Sequence, residues 1–308
     1  MPHSLVLFAA GLGTRFGGLK PLAPVGPHGE PLLAIAVAQG RASGFTDVIV
    51  IVSEQSEGPI AAALGPTVRL ARQERIGPPR ATPWGTVAAV LAGGCETDGC
   101  VVANGDDLYG IDALRTARAW MDSDSADESP SVEADALLVA FRLDRTLSDA
   151  GGVSRAVAQI EPMAGRGSRL RGLREHRGVR RMADGLIKSR YGRENQDEHG
   201  GEGGPAMLSP DALVSMNLWA FRPSALEALR AAFETFTRSR AGPVHRGDET
   251  SECALPTALA SLAQARRLVI EVRRTDSQWH GVTWPADVAV VRAALQRQAQ
   301  DSRNDGSP

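Results

Sequence analysis

"LVLFAAGLGTRFGGLKPLAPVG", residues 5–26, decides how this chain is built. An apolar run of strand character breaks into glycines, then supplies one arginine, one lysine and a proline-studded loop. Gly11 and Gly13 permit positive φ and close approach, so backbone N–H groups of the turn can surround an anion. A dinucleotide fingerprint would need a third glycine where Phe16 stands, and an acidic residue about 20 positions further on. Glu54, at the end of the next strand, lies well beyond that reach. A P-loop needs a hydroxyl residue directly after its lysine, and Pro21 follows Lys20. The third reading is a nucleoside-triphosphate cradle. In it, Arg15 offers a rigid fork of donors to a departing pyrophosphate, and Lys20 a compact point charge to the attacked α-phosphate. A bare tight turn with both cations facing solvent stands beside it.

The rest of the chain bounds these readings. It has 308 residues, 43% hydrophobic, with a formal net charge of -2. That length supports a sizeable core, and that charge gives no reason to expect nucleic acid or an anionic membrane as partner. The basic stretch Arg166 to Arg181 reads as a solvated loop or strand pair. Cys95, Cys100 and Cys253 make an odd, sparse set, so neither a disulfide framework nor a zinc site is expected. The first apolar run has no basic region before it, and no run of about 18 apolar residues occurs. A cytoplasmic protein is expected.

Strand and helix patterns alternate. Residues 4–10, 47–54, "TVRLARQ" and 100–107 read as strands. Residues 31–44, "PIAAALG" and 84–94 read as helices, which implies a parallel sheet covered on both faces. Beyond an acidic, serine-rich loop (123–135), strands are expected at 136–143, 153–161, 213–221 and "RLVIEVRR". Helices are expected at 223–239, 251–265 and 285–299. Residues 192–210 read as a loop, and Pro256 should kink its helix or mark its first turn.

Several segments then resemble, in order, one family. They are the opening loop, "TPWGTVAAVL" (82–91), "VANGDDLYG" (102–110), "TLSDAGGVSR" (146–155), "VSMNLWAF" (214–221), "ECALP" (252–256) and "WHGVTWPAD" (279–287). The chain resembles the sugar-phosphate nucleotidyltransferases, the nucleoside-diphosphate-sugar pyrophosphorylases. The resemblance implies an α/β fold with a Rossmann-like mixed, mostly parallel sheet flanked by helices, of the nucleotide-diphospho-sugar transferase type, with a small β-rich accessory lobe. It implies one domain over 1–296, with a nucleotide-binding half at about 1–121, an acceptor-binding half at about 135–296, and a flexible tail at 297–308.

The resemblance also assigns roles. Arg15 and Lys20 would be catalytic. Ala10, Gly11, Gly13 and Thr14 would hold the triphosphate, while Gly85 and Thr86 meet the base and ribose. Gln73 matches a position that reads the base edge, although a strand-end glutamine can simply be exposed. Asp106 would hold Mg²⁺, with Asp107 in a supporting role, and Thr283 is the choice for a second metal contact beside His280 and Asp287. Gly152, Glu175, His176, Asn217 and Glu252 would meet the acceptor. His176 stands where lysine is common, which leaves the acceptor open. The expected reaction is Mg²⁺-dependent transfer from a nucleoside triphosphate to a phosphorylated small molecule, a sugar 1-phosphate first. A cytidylyltransferase acting on a non-sugar phosphate or phosphonate is the alternative, and a catalytically silent nucleotide sensor the reading from another class. The base, the pathway and the oligomeric state are open.

Overall fold

The computed structural model describes residues 3–11, 18–80, 82–123, 134–148, 150–163, 167–194, 205–240, 251–282 and 285–304. Strands and helices alternate first: β1 (Ser4–Phe8), α1 (Leu32–Ala42), β2 (Asp47–Val52), α2 (Glu54–Leu64), β3 (Arg69–Arg72), α3 (Thr86–Ala92) and β4 (Cys100–Asn104). A short β5 (Asp107–Leu108) and α4 (Ile111–Asp122) lead to β6 (Ala136–Arg142). A long antiparallel arm follows, β7 (Val153–Pro162) against β8 (Ser168–Arg181), with β9 (Ile187–Ser189), β10 (Tyr191–Glu194) and β11 (Ala206–Leu208) at its margin. The chain then forms β12 (Leu213–Phe221), α5 (Pro223–Arg240), α6 (Leu255–Gln264), β13 (Ile270–Arg274), β14 (His280–Gly281) and α7 (Asp287–Asn304).

The main sheet is mixed. Its spine runs β11-β9-β8-β13-β6-β12-β4-β1-β2-β3. The four strands β4, β1, β2 and β3 are mutually parallel, as are β13 and β6. Antiparallel ladders join β12 to β4, to β6 and to β7. Successive residues of the central strands face opposite cores, as the two-residue period of a strand requires. Leu5 and Leu7 pack with α1, α4 and α7 on one face; Val6 packs with α3, α5 and α6 on the other. Both faces are covered, so β1, β2 and β4 read in sequence as continuous apolar runs.

Several elements differ from expectation, β10 and β11 among them, which put strand at 192–194 and 206–208 inside the expected loop. α2 starts at Glu54, ahead of "PIAAALG", because Ser53 and Ser56 cap it reciprocally: Ser53 Oγ accepts from Ser56 N at 3.2 Å, and Ser53 N donates to Ser56 Oγ at 2.9 Å. α6 begins at Leu255 and not at 251, with Pro256 marking its first turn as one of the two expectations had it; the missing N–H costs nothing there. α7 runs on to Asn304, so residues 300–304 continue a helix. Much of the serine-rich loop and of the 192–210 loop lies outside the described residues. The three cysteines are free and buried. Among the described residues, no helix is long and apolar enough to cross a membrane.

Candidate active site

β1 lies between β2 and β4, and the chain leaves it toward opposite sides. That reversal opens a crevice at the carboxyl ends of the strands, where open α/β sheets take their ligands. Gly105 brings the end of β4 against the end of β1. Its N–H donates to the Phe8 carbonyl at 2.8 Å, and a Cβ there would lie 2.9 Å from that oxygen. Asp106 thereby shares a cavity lining with Gly11. Lys20 opens a short 3-10 turn with Pro21 next to it, and its Nζ donates to Asp106 Oδ2 at 2.6 Å.

A buried layer supports this pair. Asn104 Nδ2 donates to Asp107 Oδ2 at 2.8 Å. The Tyr109 hydroxyl accepts from Asn104 N at 3.0 Å and donates to the Met216 carbonyl at 2.7 Å. Burial, and then the neighbouring Asp106 charge, push the Asp107 carboxyl up to about 7, with Lys20 and Asn104 opposing. Asn217 sits at a register shift in β12 with φ of 63°. Its Nδ2 lies 3.5 Å from Asn104 Oδ1, and its Oδ1 accepts from Trp219 Nε1 at 3.4 Å.

A cleft of about 970 Å³ opens over this edge. Of the residues singled out in the sequence, Ala10, Gly11, Gln73, Gly85, Thr86, Asp106 and Glu252 line it together. Gln73 is buried, and its Nε2 donates to the Gly85 carbonyl at 2.7 Å. It braces the turn before α3. Thr86 Oγ1 accepts from Leu255 N at 2.7 Å, tying that turn to the start of α6. Gly85 has φ of 93°, and a Cβ there would fall 2.9 Å from the backbone N and O of Cys253. Two residues that the sequence reading passed over also line the cleft. One is Asn104, the polar end of an otherwise apolar strand. The other is Arg80, whose guanidinium lies 4.2 Å from the centre of the Trp84 ring. Asn104 was legible as the amide just before the "GDD" cluster; Arg80, in a proline-rich loop, carried no pattern.

The remaining candidates are dispersed. Gly13, Thr14, Arg15 and Thr283 lie outside the described residues. Glu175, on β8, accepts from Arg177 Nε at 3.1 Å. His176 is buried with Nδ1 3.2 Å from Ser189 Oγ, and burial and then Arg174 hold its imidazole below the ordinary range. Gly152 packs on Gly178 and lines a second cavity, apart from the cleft.

The donor set suits a hard cation. Asp106 offers carboxylate oxygen toward the cleft, and the Lys20 ammonium shows that this oxygen accepts positive charge there. Mg²⁺ is commonly held by one or two carboxylates together with substrate phosphates. Among the described residues, no group of three or more His, Cys, Asp or Glu could hold a metal alone.

A model of the MobA-like NTP transferase domain matches residues 5–184. The chain belongs to this family. It is a nucleotidyltransferase, and the crevice between β1 and β4 falls inside the matched segment. Two solved structures share the fold. One is described as a glucose-1-phosphate thymidylyltransferase from Bacillus anthracis, in complex with a sucrose. It superposes with a TM-score of 0.55 at 14% identity, over 96% of this chain and 95% of that one. The other, the inositol-1-phosphate CTP transferase from T. maritima, gives 0.55 at 13% identity, over 96% of each. At such identities the likeness establishes the fold of this nucleotidyltransferase over nearly its whole length.

Proposed function

We propose that this nucleotidyltransferase joins a nucleoside triphosphate to a sugar 1-phosphate with Mg²⁺, giving a nucleoside-diphosphate sugar and pyrophosphate. An oxygen of the acceptor phosphate attacks the α-phosphorus. The bond from that phosphorus to the bridging oxygen breaks, and pyrophosphate leaves with the electron pair. The acceptor phosphate is already nucleophilic, so the protein has mainly to position two anions and offset their charge. The observation that carries this reading is the Lys20–Asp106 pair at 2.6 Å, on the cleft that Gly11 also lines. It supports a role for one cation and one metal-competent carboxylate at the α-phosphate. Asp106 would hold Mg²⁺, which when bound supplies charge neutralisation for the phosphates. Arg15 would face the leaving pyrophosphate, with Gly13 and Thr14 completing the cradle. Thr283 is kept as the second metal contact.

Gly85 and Thr86 would meet the nucleoside. Gln73 holds that turn with its amide nitrogen, which leaves its carbonyl oxygen for a base edge. On the acceptor side, Glu252 lines the cleft and Asn217 contacts Asn104 at its floor. Gly152, Glu175 and His176 would act from the accessory strands. One of the two solved structures named above is named for glucose 1-phosphate, which supports a sugar 1-phosphate as acceptor.

The second reading, a cytidylyltransferase for a non-sugar phosphate or phosphonate, is supported by the other solved structure, named as a CTP transferase for inositol 1-phosphate. His176 is buried and its pKa is lowered, so it puts no ammonium where lysine is common and leaves the acceptor open. A panel of four nucleoside triphosphates against sugar 1-phosphates and non-sugar phosphates, read by released pyrophosphate, decides. Turnover confined to non-sugar acceptors would replace the first reading with the second.

A further inference from the structure

The second cavity, of about 510 Å³, shares no lining residue with the cleft. Its walls come from the loop after β6, the end of β8, β14 and α7. Four guanidinium groups line it, those of Arg145, Arg180, Arg181 and Arg297. The carboxylates lining it, among the described residues, are Asp144 and Asp287, and both are engaged. Asp144 accepts from Arg142 Nε at 3.0 Å and Nη2 at 2.6 Å, and Asp287 accepts from Ser148 Oγ at 2.9 Å. Arg145 donates to the Asp276 carbonyl, and Arg181 lies 3.4 Å from the Gly185 carbonyl. The side chains of Arg180 and Arg297 make no hydrogen bond or ion pair among the described residues.

A second, independent feature points to a polar ligand. Among the described residues, Trp279 Nε1 and His280 Nε2 are buried without a hydrogen-bond partner, and both residues line this cavity. Buried polar atoms left unpaired are costly, and a bound oxyanion with a polar body would recover part of that cost. The α7 wall is apolar: Val290, 56% exposed, stands beside Val291 and Ala294.

We propose that this cavity binds a phosphate monoester, with its phosphate on Arg180 and Arg297 and its organic body against Trp279 and the apolar wall of α7. Guanidinium forks match the oxygens of a dianion, and charge-assisted hydrogen bonds of this kind are the strong ones. The site shares no lining residue with the triphosphate cleft, and on this assignment Gly152, which lines it, serves this cavity and not the acceptor.

Equilibrium dialysis of the full chain against inorganic phosphate and against phenyl phosphate tests it. Both probes should bind the wild-type chain, phenyl phosphate several-fold more tightly. The double variant Arg180→Ala/Arg297→Ala should lose at least about tenfold in affinity for both, while Lys20→Ala keeps this binding. Both arginines are exposed, so the double variant should unfold at the wild-type denaturant concentration, which circular dichroism checks. Undiminished binding by the double variant, or no saturable binding to the wild-type chain, overturns the site. Equal affinity for the two probes overturns the organic body and leaves a site for free phosphate.

Discussion

Lys20 and Asp106 are far apart in the chain and meet at 2.6 Å because Gly105 lets β4 end against β1. Each has a separate task toward a triphosphate, one as a cation and one as a metal-competent carboxylate. Lys20→Ala and Asp106→Ala should each lower turnover by about 10²-fold or more, since removing one preorganised charge from a reacting centre typically costs that much. Pyrophosphate release measures it, and urea unfolding should show both variants folded. Gly85 carries a different burden. A methyl group there would strike the Cys253 backbone, at a φ that L-residues avoid. Gly85→Ala should destabilise by about 2 kcal/mol or more, read as a lower urea midpoint. His176 makes a pH argument. Its folded pKa lies below the unfolded value of 6.5, with burial as the first cause and Arg174 as the second. Between the two pKa values the unfolded chain binds more protons, so stability rises with pH and is lost as pH falls through that window. The urea midpoint should therefore drop further between pH 7.5 and pH 5.5 for the wild-type chain than for His176→Gln.

β12 shows what an element adds to its residues. The register shift within it puts Asn217 at φ of 63°, beside Asn104 and Trp219. Asn visits this region at low cost and Gly at none, whereas other L-residues lose about 1 kcal/mol or more. Asn217→Gly should keep the wild-type urea midpoint, and Asn217→Ala should lower it. If the amide serves the acceptor, both should raise the acceptor KM alike; a loss in Ala alone would assign the residue to the backbone.

The strand "LVSMNLWAF" was legible as β12, but nothing in its composition marks the bulge. β1, β2 and β4 were legible because burial on both faces leaves an unbroken apolar run. β5 and β14, two residues each, were not, because pairing across a long stretch of chain makes them. The same limit applies to the site. Gly11, Lys20 and Asp106 come from compact local patterns, whereas Arg80 reaches the cleft only through tertiary packing.

At the scale of the molecule, the nucleotide half and the accessory half share one sheet. β12 lies between β4 and β6, so a strand from late in the chain covers the edge of the first parallel unit. Trp219 and Phe221, fully buried, face the same core as Val6, Val102 and α3. Each such side chain is worth about 1.5–3 kcal/mol when withdrawn from water. A fragment of residues 1–123 would leave β4 an open edge and expose the core on that side. It would also lose the docking of the Cys253 backbone on Trp84 and Val87. That supports a single folding unit over the two halves. The fragment alone should show no cooperative urea transition, and co-expression with residues 134–308 should restore one. A cooperative transition of the isolated fragment near the full-length midpoint would instead make the halves independent domains, with β12 an accessory to a completed fold.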